Sequence, residues 1–235
     1  MPAEFDFGRS FTFTQEDPDW VSKILLGGVA ALACSLLVGI PFVAGYLGRT
    51  LVNVAKGAPR PLPEWDDLGG LFHEGLRLTG VYLVHMVGVL AVMAVLFALL
   101  FLPLILSHSE DPAHALGPIG VLLVVGLYGL LLLVSLATAI YVPAALVRSA
   151  LSGSFAAGLE WRENVAFIKA NLANYALSLV SYLVAGFIAQ FGFLLCCVGL
   201  FPAVFWSYLV LAVSLGQTAR LAGLSQRLVA PQALG

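Results

Sequence analysis

Residues 24–48, 78–107, 118–147 and 175–219 contain no Asp, Glu, Lys or Arg. A helix of roughly 20 apolar residues crosses the hydrocarbon core of a bilayer. Inside that core the backbone must satisfy its own hydrogen bonds, so only helices or closed barrels span it. Uninterrupted runs of this length favour helices, and the expected fold class is an all-α polytopic helical membrane bundle. Composition agrees, because only 10% of residues are charged and 60% are hydrophobic, with mean hydropathy +0.99. Soluble domains carry about 25% charged residues. A net charge of −2 gives no global basic field of the kind that gathers nucleic acid.

The runs divide into spans at 24–47, 81–106, 118–147, 175–196 and 202–219, in a single integral membrane domain over 1–235. The turn between the last two falls at Cys197-Val198-Gly199-Leu200-Phe201-Pro202. Cys34, Cys196 and Cys197 lie in apolar runs, and vicinal cysteines rarely bridge each other, so no structural disulfide is expected. Basic residues fall in 48–77 (Arg49, Lys56, Arg60, Arg77), in 148–174 (Arg148, Arg162, Lys169) and in the tail (Arg220, Arg227), and the loops 107–117 and 197–201 have none. Lys and Arg mark the cytoplasmic side. The count favours five spans in the inner membrane, N-terminus outside and C-terminus inside. The alternative makes 24–47 a re-entrant hairpin broken near Gly39-Ile40-Pro41, with both termini inside.

Ahead of the first span, Asp17 can cap a helix that opens at Pro18, and Trp20 with Lys23 falls where an interfacial anchor belongs. Gly27, Ala31, Ser35 and Gly39 recur every four residues, a small-residue stripe that lets another backbone approach. Ser181, Ala185 and Ala189 form a second stripe. Pro41 is expected to kink the first span near its end.

Two amphipathic segments are expected to lie in the cytoplasmic interface. In 61–77, Trp65, Leu68, Phe72 and Leu76 share a face opposite Asp66, Asp67, His73 and Glu74. In 154–174, Trp161, Val165, Ile168 and Leu172 do the same. Ile40-Pro41…Arg49…Trp65 is echoed by Val142-Pro143…Arg148…Trp161, a weak internal duplication. Residues 1–23 form a Phe-rich tail and cap. Phe5, Phe7, Phe11 and Phe13 alternate with polar or small residues, the period of an extended strand. The tail can pack on its own bundle or reach a neighbour. Together with Trp20, Trp65, Phe72 and Trp161, these phenylalanines are the candidate interfacial or partner-docking residues.

Asp17-Pro18-Asp19-Trp20, Gly45-Tyr46 and Pro61-Leu62-Pro63-Glu64-Trp65-Asp66-Asp67, followed by Phe72 and Gly75-Leu76, resemble the signature of a prokaryotic family of multi-span membrane proteins. That family is a domain of unknown function, so the resemblance implies a membrane protein and assigns no catalytic residue.

Candidate chemistry is sparse. The histidines and acids of His108-Ser109-Glu110-Asp111-Pro112-Ala113-His114 match no metal-ligand spacing, and a solvated loop is the plainer reading. Capping already explains Asp66 and Asp67 beside Glu64. His85, the one histidine inside a span, reads as a residue bonded to backbone or facing headgroups. No nucleophile elbow, phosphate loop or zincin motif is present. No catalytic residue, metal site or cofactor is expected. The mid-span polar groups Ser135, Thr138, Ser181, Gln190, Ser207 and Ser214 suit bonds between helices. The sequence therefore reads as a non-enzymatic membrane scaffold or accessory subunit of a homo- or hetero-oligomeric complex in the lipid bilayer. The alternative is a facilitator or permease for a neutral or lipid-like solute.

Overall fold

The computed structural model describes residues 4–106, 112–194 and 199–229. Among them no strand occurs, and the chain forms an all-α bundle. Its α-helices are α1 (Arg9–Thr12), α2 (Trp20–Ala33), α3 (Gly39–Lys56), α4 (Leu68–Leu106), α5 (Pro112–Ser152), α6 (Phe155–Leu159), α7 (Trp161–Ala170), α8 (Leu172–Gln190), α9 (Leu200–Leu221) and α10 (Leu224–Val229). Four stretches are long and apolar enough to cross a membrane: Leu68–Leu99, Val124–Ser152, Leu172–Leu194 and Leu200–Leu221. A fifth is counted if Arg9–Glu16 and Trp20–Leu36, bent by 111°, are taken as one span. Of the expected turn 197–202, Cys197 and Val198 lie outside the described residues, as do 107–111 of the expected loop, whereas Leu200, Phe201 and Pro202 already belong to α9 and 112–117 to α5.

The chain divides into two compact units. One is Met1–Val81 with Pro143–Gly235, the other Tyr82–Val142. The smaller unit is made of the later part of α4 and the earlier part of α5. Val87, Leu90, Phe97, Leu132 and Leu133 are exposed along it, as lipid-facing helices would be. The His85 ring tilts against Tyr141 with centroids 5.2 Å apart.

In the larger unit, the expected span 24–47 is not one helix. After α2, a 3-10 turn at Cys34–Leu36 leads into Leu37, which takes the left-handed conformation (φ 63°). The chain then restarts as α3, folded back on α2. Pro41 sits in the first turn of α3, where no N–H is needed, so it helps start a helix instead of kinking the end of one. Small residues set the packing of both arms on α9. A Cβ on Gly27 would strike the Phe205 ring, and one on Gly28 would strike Pro202. Tyr46 meets Phe205, a Cβ on Gly216 would meet Leu51 and Val54, and Arg220 lies against Gly57. Hence α2 runs against α9 and α3 runs with it. The two arms form a helical hairpin whose tip, Leu36-Leu37-Val38, is apolar and exposed.

Other boundaries move for local reasons. The segment expected as a separate interfacial helix at 61–77 is irregular to Asp67. From Leu68 it is continuous with the following span as α4. Asp67 starts that helix, its Oδ1 accepting the Gly70 N–H at 2.9 Å. The face of α4 that packs inward carries Leu71, Gly75 and Leu78, while Leu68, Phe72 and Leu76 are exposed. The 154–174 segment is broken into α6, α7 and the start of α8. The break at Asn171 is sealed by its Nδ2 donating to Phe167 O at 2.9 Å.

The N-terminal segment is helical, not extended. With no strand to pair with, its N–H groups turn inward: Phe11 and Thr12 both donate to Gly8 O. Phe7 and Phe11 meet at a helical spacing of four, their rings tilted by 54° with centroids 5.2 Å apart. Phe13 is fully buried in the core with Ile24, Tyr46, Phe205, Leu209 and Val213, and Phe11 packs partly buried against them. Phe5 is half-buried and Phe7 exposed. The segment thus covers its own bundle. Gln217, near the end of α9, accepts the Asp6 N–H at 3.0 Å and donates to Asp6 O and Ser10 Oγ, both at 3.1 Å. Residue 6 and the end of α9 therefore lie at the same end of this unit. The stretch 24–47, on which the N-outside count rested, is thus two helices joined by a 3-10 turn rather than one.

Candidate functional site

A buried ion pair lies where the open end of the hairpin meets the segment before α4. Lys23, one turn into α2, is buried instead of anchoring at a surface. Its Nζ donates to Asp17 Oδ2 at 2.8 Å and to Glu64 Oε1. Asp17 is also buried, and its Oδ1 accepts the Asp19 N–H at 2.9 Å. Asp17 thus folds the chain into α2, which begins at Trp20 rather than Pro18. An ammonium taken out of water needs such a partner, because an unpaired buried charge costs several kcal/mol.

Above this pair lies an aromatic stack. Trp65 packs on Tyr46 with centroids 4.4 Å apart and planes 19° from parallel, and Phe205 leans on both. The Trp65 indole N–H donates to Lys23 O at 3.1 Å. The Tyr46 hydroxyl is buried with no hydrogen-bond partner among the described residues. Beside the stack, α3 and α4 touch backbone to backbone. A Cβ on Gly45 would strike Leu71 O, and one on Gly75 would strike Pro41 O, so positions 41 and 45 of one helix lie on 71 and 75 of the other. On the rim, Arg49 Nη2 reaches Asp67 at 2.7 Å and Glu74 at 3.0 Å. The hydrogen bond from Arg49, aided by the Gly70 N–H, holds the Asp67 carboxyl below the usual carboxylate range. Phe42 and Phe72 close the other edge at 5.3 Å.

This arrangement is a clasp. It joins α2, α3, α4 and α9 through one buried cation, one stacked pair and one glycine contact. Asp17, Gly45-Tyr46, Glu64-Trp65, Asp67, Phe72 and Gly75 all take part, although they are scattered through the sequence. The chain matches the family described as Protein of unknown function (DUF4013) over residues 28–198. The chain belongs to that family. The match takes in α3, α4 and most of the clasp, while Asp17 and Lys23 lie ahead of it. No curated protein and no solved structure matches the chain.

A second ion-pair group echoes the first. Arg148, buried at the end of α5, bonds to Glu160 and lies 3.9 Å from Glu163, both in the segment that follows its helix. Asn164 Nδ2 donates to Gly158 O at 3.0 Å below it. In each half of the sequence echo, the arginine folds onto acids of the next amphipathic stretch. The two tryptophans differ: Trp65 is stacked inside, whereas Trp161 is exposed with Arg162 above its ring at 5.4 Å.

The small-residue stripes fare differently. Ser181, Ala185 and Ala189 are buried on α8, which packs along α9. Gly27 and Ala31 pack inward, but Ser35 is exposed in the 3-10 turn and Gly39 begins α3 against Ala30. Trp20 is exposed. The span hydroxyls bond mainly within their own helices: Thr138 to Val134 O, Ser181 to Leu177 O, Ser207 to Val204 O and Ser214 to Val210 O. Bonds between helices that sequence reasoning missed join α8 and α9: Ser178 Oγ and Thr218 Oγ1 lie 2.9 Å apart, and Thr218 Oγ1 lies 3.1 Å from Asn174 O. Gln190, expected to reach a neighbour, is exposed and contacts Gly186 O. Among the described residues, no three His, Cys, Asp or Glu side chains gather as a metal site would require.

Proposed function

We propose that the chain is a non-enzymatic scaffold or accessory subunit of a complex in the cytoplasmic membrane. The observation that carries this reading is the clasp. Its cation, acids, aromatics and glycines are engaged in holding a helical hairpin against α4 and α9, so the polar chemistry of this region serves positioning. Backbone-close contacts at Gly27, Gly28, Gly45 and Gly75 leave no room along those seams. Lipid-facing apolar side chains on α8 and the smaller unit offer surfaces to bilayer or neighbouring spans.

The proposed orientation places both tails in the cytoplasm. The Asp6–Gln217 contact and the basic residues at the α3 and α9 ends support it, since Lys and Arg favour that face. A reporter fused at each terminus tests this: activity of a periplasm-dependent reporter at the N-terminus would overturn it.

The reading itself is tested by extraction in native lipid discs, mass determination and identification of co-purifying chains. A stoichiometric foreign chain or a defined homo-oligomer is expected. A lone monomer that carries a solute across liposomes would favour the second reading, a permease for a neutral solute. The specific observation behind that alternative is the duplicated arginine-to-acid fold at Arg49 and Arg148.

A further inference from the structure

The second buried cluster of the larger unit contains Ala55, Phe167, Ala219 and Leu224, with Ile168 and Leu228 packed against it. Each contributing segment carries a cation beside its packed residue: Lys56 after Ala55, Lys169 after Ile168, Arg220 after Ala219 and Arg227 before Leu228. All four side chains are exposed. None forms an ion pair among the described residues, whereas Arg9, Lys23, Arg49 and Arg148 all do. Nearby acids are engaged: Glu160 and Glu163 with Arg148, and Asp6 with the Arg9 N–H at 2.9 Å.

The four cations therefore fringe one apolar cluster. Arg220 fixes their depth, because it is the penultimate residue of the membrane-crossing stretch Leu200–Leu221, and it lies against Gly57, just after Lys56. A rim of unneutralised cations at the end of a span sits at headgroup level. There it attracts the phosphates of anionic lipid within a Debye length. The neighbouring helix C-termini at Lys56, Lys169 and Arg220 add negative dipole ends that hold the cations in place.

We infer that Lys56, Lys169, Arg220 and Arg227 form a binding rim for anionic phospholipid headgroups. Charge complementarity selects the occupant, and the span end selects lipid over a soluble anion. The inference is independent of the scaffold reading.

The full-length protein is placed in discs of phosphatidylcholine containing one fifth phosphatidylglycerol. Lipid kept through detergent exchange is then quantified by mass spectrometry. Enrichment of phosphatidylglycerol by at least 3-fold over its share is expected, falling to near 1-fold in 0.5 M salt. The triple variant Lys56→Gln, Lys169→Gln, Arg227→Gln should lose most of the enrichment while keeping its thermal midpoint. It spares Arg220, whose contact with Gly57 is structural. The variant Arg162→Gln should retain the enrichment. Retention of both lipids in proportion to supply would overturn the inference. So would undiminished enrichment in the triple variant, or loss of a co-purifying acidic protein from that variant with lipid retention unchanged.

Discussion

Trp65 lies flat on Tyr46 while its indole N–H bonds the carbonyl of Lys23, so one side chain touches both arms of the hairpin. Replacing it by Ala should cost about 3 kcal/mol, the low end of the range for deleting a large aromatic, because Trp65 is partly buried. Trp65→Phe keeps a ring on Tyr46 and loses the hydrogen bond, a change of about 1 kcal/mol. Unfolding in detergent, followed by fluorescence or by loss of the monodisperse peak, should rank the variants in that order.

Lys23 and Asp17 should behave as a coupled pair. Lys23→Met leaves a buried carboxylate without its cation and should destabilise by about 3–5 kcal/mol. Adding Asp17→Leu removes the orphaned charge and should restore most of that loss. A double-mutant cycle on thermal midpoints measures the coupling, and simple additivity would show that the pair is not buried together.

Glycines of the two units should respond oppositely. Gly45→Ala and Gly75→Ala force α3 and α4 apart and should each cost about 1–3 kcal/mol, as overpacking does. Among the described residues, nothing lies within 4 Å of where a Cβ would go on Gly88, Gly126 or Gly129. Ala there should be neutral or stabilise by about 0.5–1 kcal/mol, because helical glycine carries an entropy penalty.

Acid should loosen the rim of the clasp through Asp67. Its folded carboxyl titrates below the ordinary value of 3.8, because Arg49 and the Gly70 N–H favour the charged form. A depressed folded value means the contribution is present above the unfolded pKa and is lost as pH falls through the folded one. The stability difference between the wild type and Asp67→Asn should therefore be constant from pH 5 to 7 and shrink below about pH 4. A difference that persists undiminished at pH 2.5 would falsify the pairing.

Helical class was legible because absent charge is a strong local signal that needs no tertiary context. The broken span was harder. Nothing in Cys34-Ser35-Leu36-Leu37-Val38 marks a turn, since the left-handed residue is leucine and not glycine; only Pro41, displaced by a few residues, hinted at it. The inward face of α4 was not legible for a related reason: Leu68, Phe72 and Leu76 read as the apolar face of an interfacial helix, and nothing in that stripe marks Gly75 as the packed position. Small residues, not large ones, trace interiors in a membrane. The clasp left one usable trace, a lone Lys23 at the edge of a charge-free run with Asp17 six residues before it. Its partner Glu64 is 41 residues away and could not be paired by spacing. The phenylalanine alternation of residues 5–13 is too short to separate a period of two from a spacing of four, and the docking on α9 decided it.

The hairpin also has a consequence for depth in the membrane. The fourteen residues of α2 rise about 21 Å at 1.5 Å each, short of the roughly 30 Å hydrocarbon thickness. An arm of that length can end inside the hydrocarbon, where the exposed apolar tip Leu36-Leu37-Val38 needs no water and the Leu37 N–H is already satisfied by Cys34 O at 2.9 Å.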